Sequence, residues 1–304
     1  MNPLWVFPGQ GGQYAGMLAT VPVTLRQHVE QLLGIQLVDT QTGYQDAVQL
    51  QVSTALLQVS RVQRLRTAGI LPRLVAGHSL GVFAAAYAVG SLAQDDLFQL
   101  VKIRASLMQQ AYPKGYGMGV IVGLTRAKVA ALVQQSYIEQ QPVFVSNQNA
   151  IDQTAIAGKL EGIDRVLRLA KQVGATKTLH LQVPVPSHSP LMTGVARQLV
   201  VAASAYPVNR PSGIYLANYS GHAVRQASKV AADLVSNLVY PVYFEAMMNV
   251  AQNYQPELVV SFGPGHPFRQ VLRQNFPTIR QIDLNQVPTD DAIYLIDKWK
   301  RGAY

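Results

Sequence analysis

Residues 77–81 read Gly77-His78-Ser79-Leu80-Gly81, between the apolar run "LVAG" (74–77) and the small-residue stretch "GVFAAAYAVG" (81–90). The spacing is G-x-S-x-G, the pattern of a nucleophile elbow. A turn sharp enough to push a serine hydroxyl out at the top of a sheet brings together the positions two before and two after it. Both positions must then lack a side chain. A helix that starts at the serine offers unpaired N–H groups and a favourable dipole to an oxyanion formed there. The chemistry indicated is attack by Ser79 on a carbonyl carbon.

A serine needs a base, and six histidines are available. His28 sits in a polar, helix-like segment, and His180 alternates within a strand-like run. His222 follows Gly221 in a turn, and His266 follows a Gly-Pro-Gly turn. His78 adjoins the serine, but an elbow aims neighbouring side chains apart. His188 lies in "PVPSHSPLM" (184–192), a proline-stiffened loop at the mouth of a strand, where a base can be held in place. All six stay open at this level, with His188 the best placed. No Asp or Glu near the later strands stands out as a third member of a triad.

The surrounding pattern tells which elements hold these groups. "LWVF" (4–7) and "LVAG" (74–77) read as short buried strands. Residues 46–66 place Val48, Val52, Ala55, Leu56, Val59 and Val62 on one helical face, with Gly69 and Pro72 ending that helix. Helices are expected over 81–90 and 95–111. Strands alternating with helices imply a parallel sheet covered on both faces. Residues 115–185 change rhythm. Strands at 117–124, 143–148, 154–159 and 176–183 and helices after Thr125 and over 162–174 give the order β-α-β-β-α-β, a ferredoxin-like signature. The expected architecture is α/β: a large α/β-hydrolase-like domain with a parallel sheet (1–114 and 186–304) and an inserted ferredoxin-like subdomain (115–185). The large domain resumes with helices near 190–205, 224–237 and 243–253 and strands at 213–218 and 257–265, before a short helix.

Composition narrows the functional classes. The 304 residues contain no cysteine, which excludes disulfides, thiolate metal sites and a cysteine nucleophile. Net charge is +9, yet the basic residues are scattered and not interleaved with aromatics, which argues against nucleic-acid binding. No apolar run approaches the ~20 residues of a membrane span, and the start carries no signal-peptide pattern. A cytoplasmic protein acting on an anionic partner is expected.

"FPGQGGQYAGM" (7–17), "GHSLG" (77–81) and "PVPSH" (184–188), with "IRASLMQ" (103–109), "AIAG" (155–158), "PVYF" (241–244) and "GPG" (263–265), resemble the malonyl-CoA:acyl carrier protein transacylase family, in order and nearly end to end. The resemblance implies a ping-pong acyl transfer. Malonyl-CoA would acylate Ser79, with His188 as base and then acid, and the malonyl group would pass to the phosphopantetheine thiol of an acidic acyl carrier protein. It further implies an oxyanion hole from the Gln10 and Leu80 amides, such donors being worth about 3–4 kcal/mol each. Arg104 would bind the malonyl carboxylate, and the main-chain carbonyl of Asn237 would orient His188 in place of an acid. No bound cofactor or metal is implied. Val82 stands where the family usually has Glu, and Gly12 where Ser or Ala is commoner.

Residues 111–124, the compact N-terminal region and residues 217–224 look more like the transacylase (epsilon) subunit of malonate decarboxylase, which implies partners among the other subunits of that complex. The fatty-acid-synthesis transacylase is the near alternative. A serine esterase or thioesterase of α/β-hydrolase type and a non-catalytic carrier-docking scaffold are the more distant ones. A basic rim for carrier and CoA is expected from Arg73, Lys114, Lys159, Arg269 and Arg273.

Overall fold

Side-chain alternation along the first strand sets the plan of the molecule. In β1 (Pro3–Phe7) every residue is buried. Trp5 and Phe7 face one apolar core, and Leu4 and Val6 face another on the opposite side. A strand covered on both faces belongs at the centre of a parallel sheet. The computed structural model describes residues 1–112 and 114–302. Pro113 and residues 303–304, assigned from sequence to the large domain, lie outside the described residues.

After β1 the chain forms α1 (Val23–Leu33), α2 (Ala47–Thr67), β2 (Leu74–Gly77), α3 (Gly81–Ala88) and α4 (Gln94–Ala111). A second group follows: β3 (Tyr116–Val122), α5 (Arg126–Gln135), β4 (Val143–Ala150), β5 (Gln153–Lys159), α6 (Leu160–Gln172) and β6 (Lys177–Leu181). The chain then adds α7 (Thr193–Ala203), β7 (Ile214–Leu216), β8 (Ala223–Val224), α8 (Ala227–Ser236) and α9 (Phe244–Gln252). It closes with β9 (Leu258–Ser261), α10 (Arg269–Asn275), β10 (Arg280–Asp283) and α11 (Thr289–Lys300).

Two sheets result. The larger has the order β10-β9-β1-β2-β7-β8, with only the β7–β8 pair antiparallel. The smaller, β4-β5-β3-β6, is antiparallel throughout. They meet where β4 runs alongside the segment before α9: Gln148 N donates to Val242 O at 2.8 Å, and Ala150 joins the core of Phe244 and Met247.

Several elements depart from the sequence reading. The expected helix at 190–205 opens with a 3-10 turn, Pro190–Met192, before α7 begins. The start of the expected 224–237 helix is instead β8, because Ala223 and Val224 pair with Leu216 and Tyr215. β10 and α11 carry too little apolar signal to be read locally. Ile282 is the one buried residue of β10, and α11 buries only Ala292 and Ile296. Helix α2 is not amphipathic in effect: it is buried on all sides from Leu50 to Val62. Its polar residues Gln51, Gln58 and Arg61 are therefore interior groups that need partners. Among the described residues no helix is long and apolar enough to cross a membrane.

Candidate active site

Ser79 stands at the C-terminal end of β2, with φ of 54°, in the left-handed region. The two glycines are required sterically. A Cβ on Gly77 would lie 2.4 Å from the carbonyl of Gly81, and one on Gly81 would lie 2.0 Å from the Phe7 oxygen. No side chain fits either gap, so the elbow can close only as G-x-S-x-G. A non-glycine residue held at positive φ costs about 1–3 kcal/mol and needs surrounding support. Asn218, at the end of β7, supplies it. Its Oδ1 accepts from Ser79 N at 2.8 Å, and its Nδ2 donates to Gly77 O. Asn218 is itself held by buried Asp233, whose Oδ2 accepts from Asn218 N at 3.1 Å and from the Tyr215 hydroxyl at 2.8 Å.

His188 reaches the serine from the loop after β6. The Ser79 hydroxyl donates to His188 Nε2 at 2.7 Å, and His188 Nδ1 donates to Asn237 O at 2.5 Å. A carbonyl can only accept, so the second bond places the proton on Nδ1 and leaves Nε2 free as a base. Asn237 caps the C-terminus of α8. Carbonyls at that end lack intrahelical partners, and the helix dipole there stabilises a cation. His188 also has positive φ, 60°, and its loop is tied down by Ser146 Oγ donating to Ser187 O at 3.1 Å.

Burial, with positive Arg104 and the second imidazole of His78 nearby, lowers the His188 pKa from 6.5 to about 3. The base is thus neutral and ready over the whole ordinary pH range. The expected consequence is a kcat/KM for acylation that stays level from about pH 8 to about pH 5, with no inflection near 6.5. Initial rates across that range test this, and a half-drop between about pH 6 and 7 would refute it.

Arg104, on α4, is the other group at the hydroxyl. Its Nη2 donates to Ser79 Oγ at 3.4 Å and its Nη1 to Gln51 Oε1 at 2.5 Å. It is 1% exposed, and its Nε has no hydrogen-bond partner among the described residues. None of the salt bridges of the described residues involves it. Burial alone pulls its pKa down from 12.5 to about 9, still charged at neutrality. A buried cation without a counter-ion is costly, and an anion held on the serine would neutralise it.

The loop after β1 lies against the elbow. A Cβ on Gly9 would sit 2.8 Å from His78 O and 3.6 Å from Leu80 N. Neither the Gln10 nor the Leu80 amide has a hydrogen-bond acceptor among the described residues. Gln58 fixes this loop by donating to Pro8 O and Gly263 O, both at 2.7 Å. The two unusual positions have packing reasons. A Cβ on Gly12 would lie 2.3 Å from Pro264 O, and Val82 is fully buried in the core.

The other histidines do not touch the Ser79 hydroxyl, although His180 and its partner Asp164 line the neighbouring cavity. His78 is buried between Phe244 and Phe268 and bonded to Asn149 Oδ1 at 3.0 Å. His28, His180 and His266 each pair with one aspartate, Asp95, Asp164 and Asp283.

A cavity of about 940 Å³ adjoins this centre between α2, α4 and the small sheet. It meets the site through Gln10 and Gln51 and is walled by glutamines and tyrosines, including Tyr44, Tyr112 and Tyr116. No Lys or Arg lines it, so the expected basic rim is corrected in part. Arg73 precedes β2 and lies at the end of that central strand opposite Ser79. Arg269 and Arg273 line a separate small cavity with His266 and Asp283. Lys159 is the better placed, paired in register with the cavity residue Tyr116.

This geometry, a serine with a neutral imidazole base and an uncompensated guanidinium on the same hydroxyl, suits transfer of an acyl group that carries a free acid. The family model described as acyl transferase domain matches residues 4–293. The chain belongs to the acyl transferase domain family. Among relatives in that family, it is 32% identical over 303 residues to a malonyl CoA-acyl carrier protein transacylase of Haemophilus influenzae, covering 95% of this chain and 96% of that one. The acyl transferase fold is shared with the malonyl CoA-acyl carrier protein transacylase of Coxiella burnetii: TM-score 0.91, 27% identity, 98% of each chain. It is shared too with a malonyl-transacylase solved with a type II PKS acyl-carrier protein: TM-score 0.89, 27% identity, 95% of this chain and 97% of that one.

Sequence reasoning from motifs alone did not reach Gln51, Asn218, Asp233 or Gln58. Their partners lie 53, 139, 15 and 50 residues away, and no local spacing announces them.

Proposed function

We propose that this chain is a malonyl-CoA:acyl carrier protein S-malonyltransferase working through a Ser79 malonyl ester. Its residues divide the work as follows. His188 Nε2 takes the Ser79 proton as Oγ attacks the thioester carbon. The oxyanion is met by the Gln10 and Leu80 amides, and the imidazolium is stabilised by the Asn237 carbonyl. Collapse of the tetrahedral intermediate breaks the C–S bond, and His188 gives its proton to the departing CoA sulfur. The phosphopantetheine thiol then gives its proton to His188, attacks the ester carbon and releases Ser79 with its hydroxyl restored. Throughout, Arg104 holds the free carboxylate of the malonyl group.

The observation that carries this reading is the convergence of His188 Nε2 and the uncompensated Arg104 guanidinium on one serine oxygen. The relatives named for malonyl-CoA and acyl carrier protein support it. With it goes the division of the chain into a large α/β domain, 1–114 and 186–304, and a ferredoxin-like insertion over 115–185. The strand order β4-β5-β3-β6 and the element order of that segment support the insertion. The narrower reading, service to malonate decarboxylase, rests on residues 111–124 and 217–224 and on the compact N-terminal region.

One experiment tests the function and the narrower reading together. The protein is incubated with malonyl-CoA and either a holo fatty-acid carrier protein or a holo carrier of malonate decarboxylase, and malonyl-carrier is quantified by mass spectrometry. Transfer to at least one carrier is expected. Hydrolysis to free malonate as the main outcome would overturn transfer in favour of an esterase, and a preference of about tenfold for one carrier assigns the acceptor.

A further inference from the structure

Among the described residues, the one side-chain acceptor on Arg104 apart from the Ser79 hydroxyl is a carboxamide. Gln51 lies on α2, is 1% exposed and stands on the wall of the cavity that adjoins the site. Its Oε1 accepts from Arg104 Nη1, and its Nε2 lies 3.8 Å from Met108 Sδ, one turn along α4 from Arg104. A guanidinium has only donors, so the amide oxygen must face it, and the sulfur then takes the weak bond from the amide nitrogen. The carboxamide is thereby held from both sides.

The chemical type of this partner matters. Interior guanidinium groups normally gain a carboxylate, because an unpaired buried charge is expensive. Here a neutral oxygen fixes the position of Nη1 while leaving the positive charge uncompensated. Nη2 stays turned to Ser79 Oγ, and Nε keeps a free N–H. An acid arriving on the serine therefore meets a fixed and still hungry cation.

We propose that Gln51 determines the selectivity of this site for carboxylated acyl groups, by anchoring Arg104 with a neutral acceptor that leaves its charge for the substrate. This rests on the malonyl-transfer reading. It assigns Gln51 a positioning role and not a part in the bond-making steps.

The test is the isosteric change Gln51→Glu. A carboxylate in the same place would form the charge-assisted pair with Arg104 itself and repel the incoming acid. The readout is the ratio of kcat/KM for malonyl-CoA to that for acetyl-CoA, with circular dichroism and the thermal midpoint recording the fold. The ratio is expected to fall by about 100-fold, a shift that a purely structural role would not produce, since loss of packing lowers both rates together. An unchanged ratio in folded Gln51→Glu overturns the proposal. Should that variant not fold, Gln51→Met is measured instead; it removes the anchor without adding charge. A tenfold or so fall in the ratio, carried by KM for malonyl-CoA, then supports the proposal, and an unchanged ratio overturns it. A wild-type protein that never forms a malonyl ester overturns the malonyl-transfer reading itself, whatever the Gln51 variants do.

Discussion

Ser79→Ala protein incubated with malonyl-CoA is expected to show no added malonyl mass, and its rate of transfer to carrier protein to fall on the order of 10⁴- to 10⁶-fold. The reason is chemical. Alanine keeps the Cβ and so the strained left-handed turn, with φ near that of Ser79. Only the hydroxyl that donates to His188 Nε2 is gone. The Asn218 clamp on the backbone N–H is untouched, because it holds Ser79 N and Gly77 O and not the side chain. The fold is therefore expected to survive, with a thermal midpoint within a few degrees of wild type. Intact-protein mass spectrometry decides the matter. A variant that still becomes labelled would move the nucleophile elsewhere. A folded, unlabelled variant with undiminished transfer would mean direct transfer between the two thiols, with no acyl-enzyme.

The same elbow shows why some of this site is legible in a sequence and some is not. Gly77 answers to a local constraint, the near contact with the backbone four residues on, and its spacing from Ser79 records it, whereas Gly81 answers to Phe7 on the neighbouring strand β1. His188 is half legible. Prolines mark its loop as rigid, but that Nε2 meets a serine 109 residues away follows only from the way the small sheet joins the large one. The group that orients it is silent altogether. The acceptor is the main-chain carbonyl of Asn237, which every residue type carries, so no acidic side chain could be found by reading for one. Gln51 and Gln58 are silent for another reason. On a helix read as amphipathic they belong to the polar face, and that face turns out to be interior. The α/β reading holds, and the elements it misses, β10 and α11, are silent for a like reason. Central strands such as β1 declare themselves by continuous burial, whereas the edge strand β10 alternates too little apolar surface to be seen.

Arg104→Ala is expected to invert the acid preference of the enzyme. In wild type, a malonyl group on Ser79 can complete the unsatisfied guanidinium, gaining two parallel charge-assisted hydrogen bonds. An acetyl group in the same place leaves a buried cation unpaired. Hydrogen bonds to charged groups contribute about 1.5–3 kcal/mol each, so removing two should lower kcat/KM for malonyl-CoA about 10²- to 10⁴-fold. For acetyl-CoA the sign is opposite, because the variant no longer holds a cation that the substrate fails to neutralise, and transfer should hold or rise. Alanine also leaves Gln51 Oε1 without its donor, a loss of about 1–3 kcal/mol in stability. Arg104→Lys separates charge from geometry. An ammonium keeps the charge but cannot present the planar pair of donors, so its malonyl rate should fall between wild type and alanine. Competition between the two thioesters, read as the ratio of acyl masses on Ser79, measures all three proteins at once. A ratio that stays constant across the series would remove Arg104 from acid recognition, and with it the role given to Gln51.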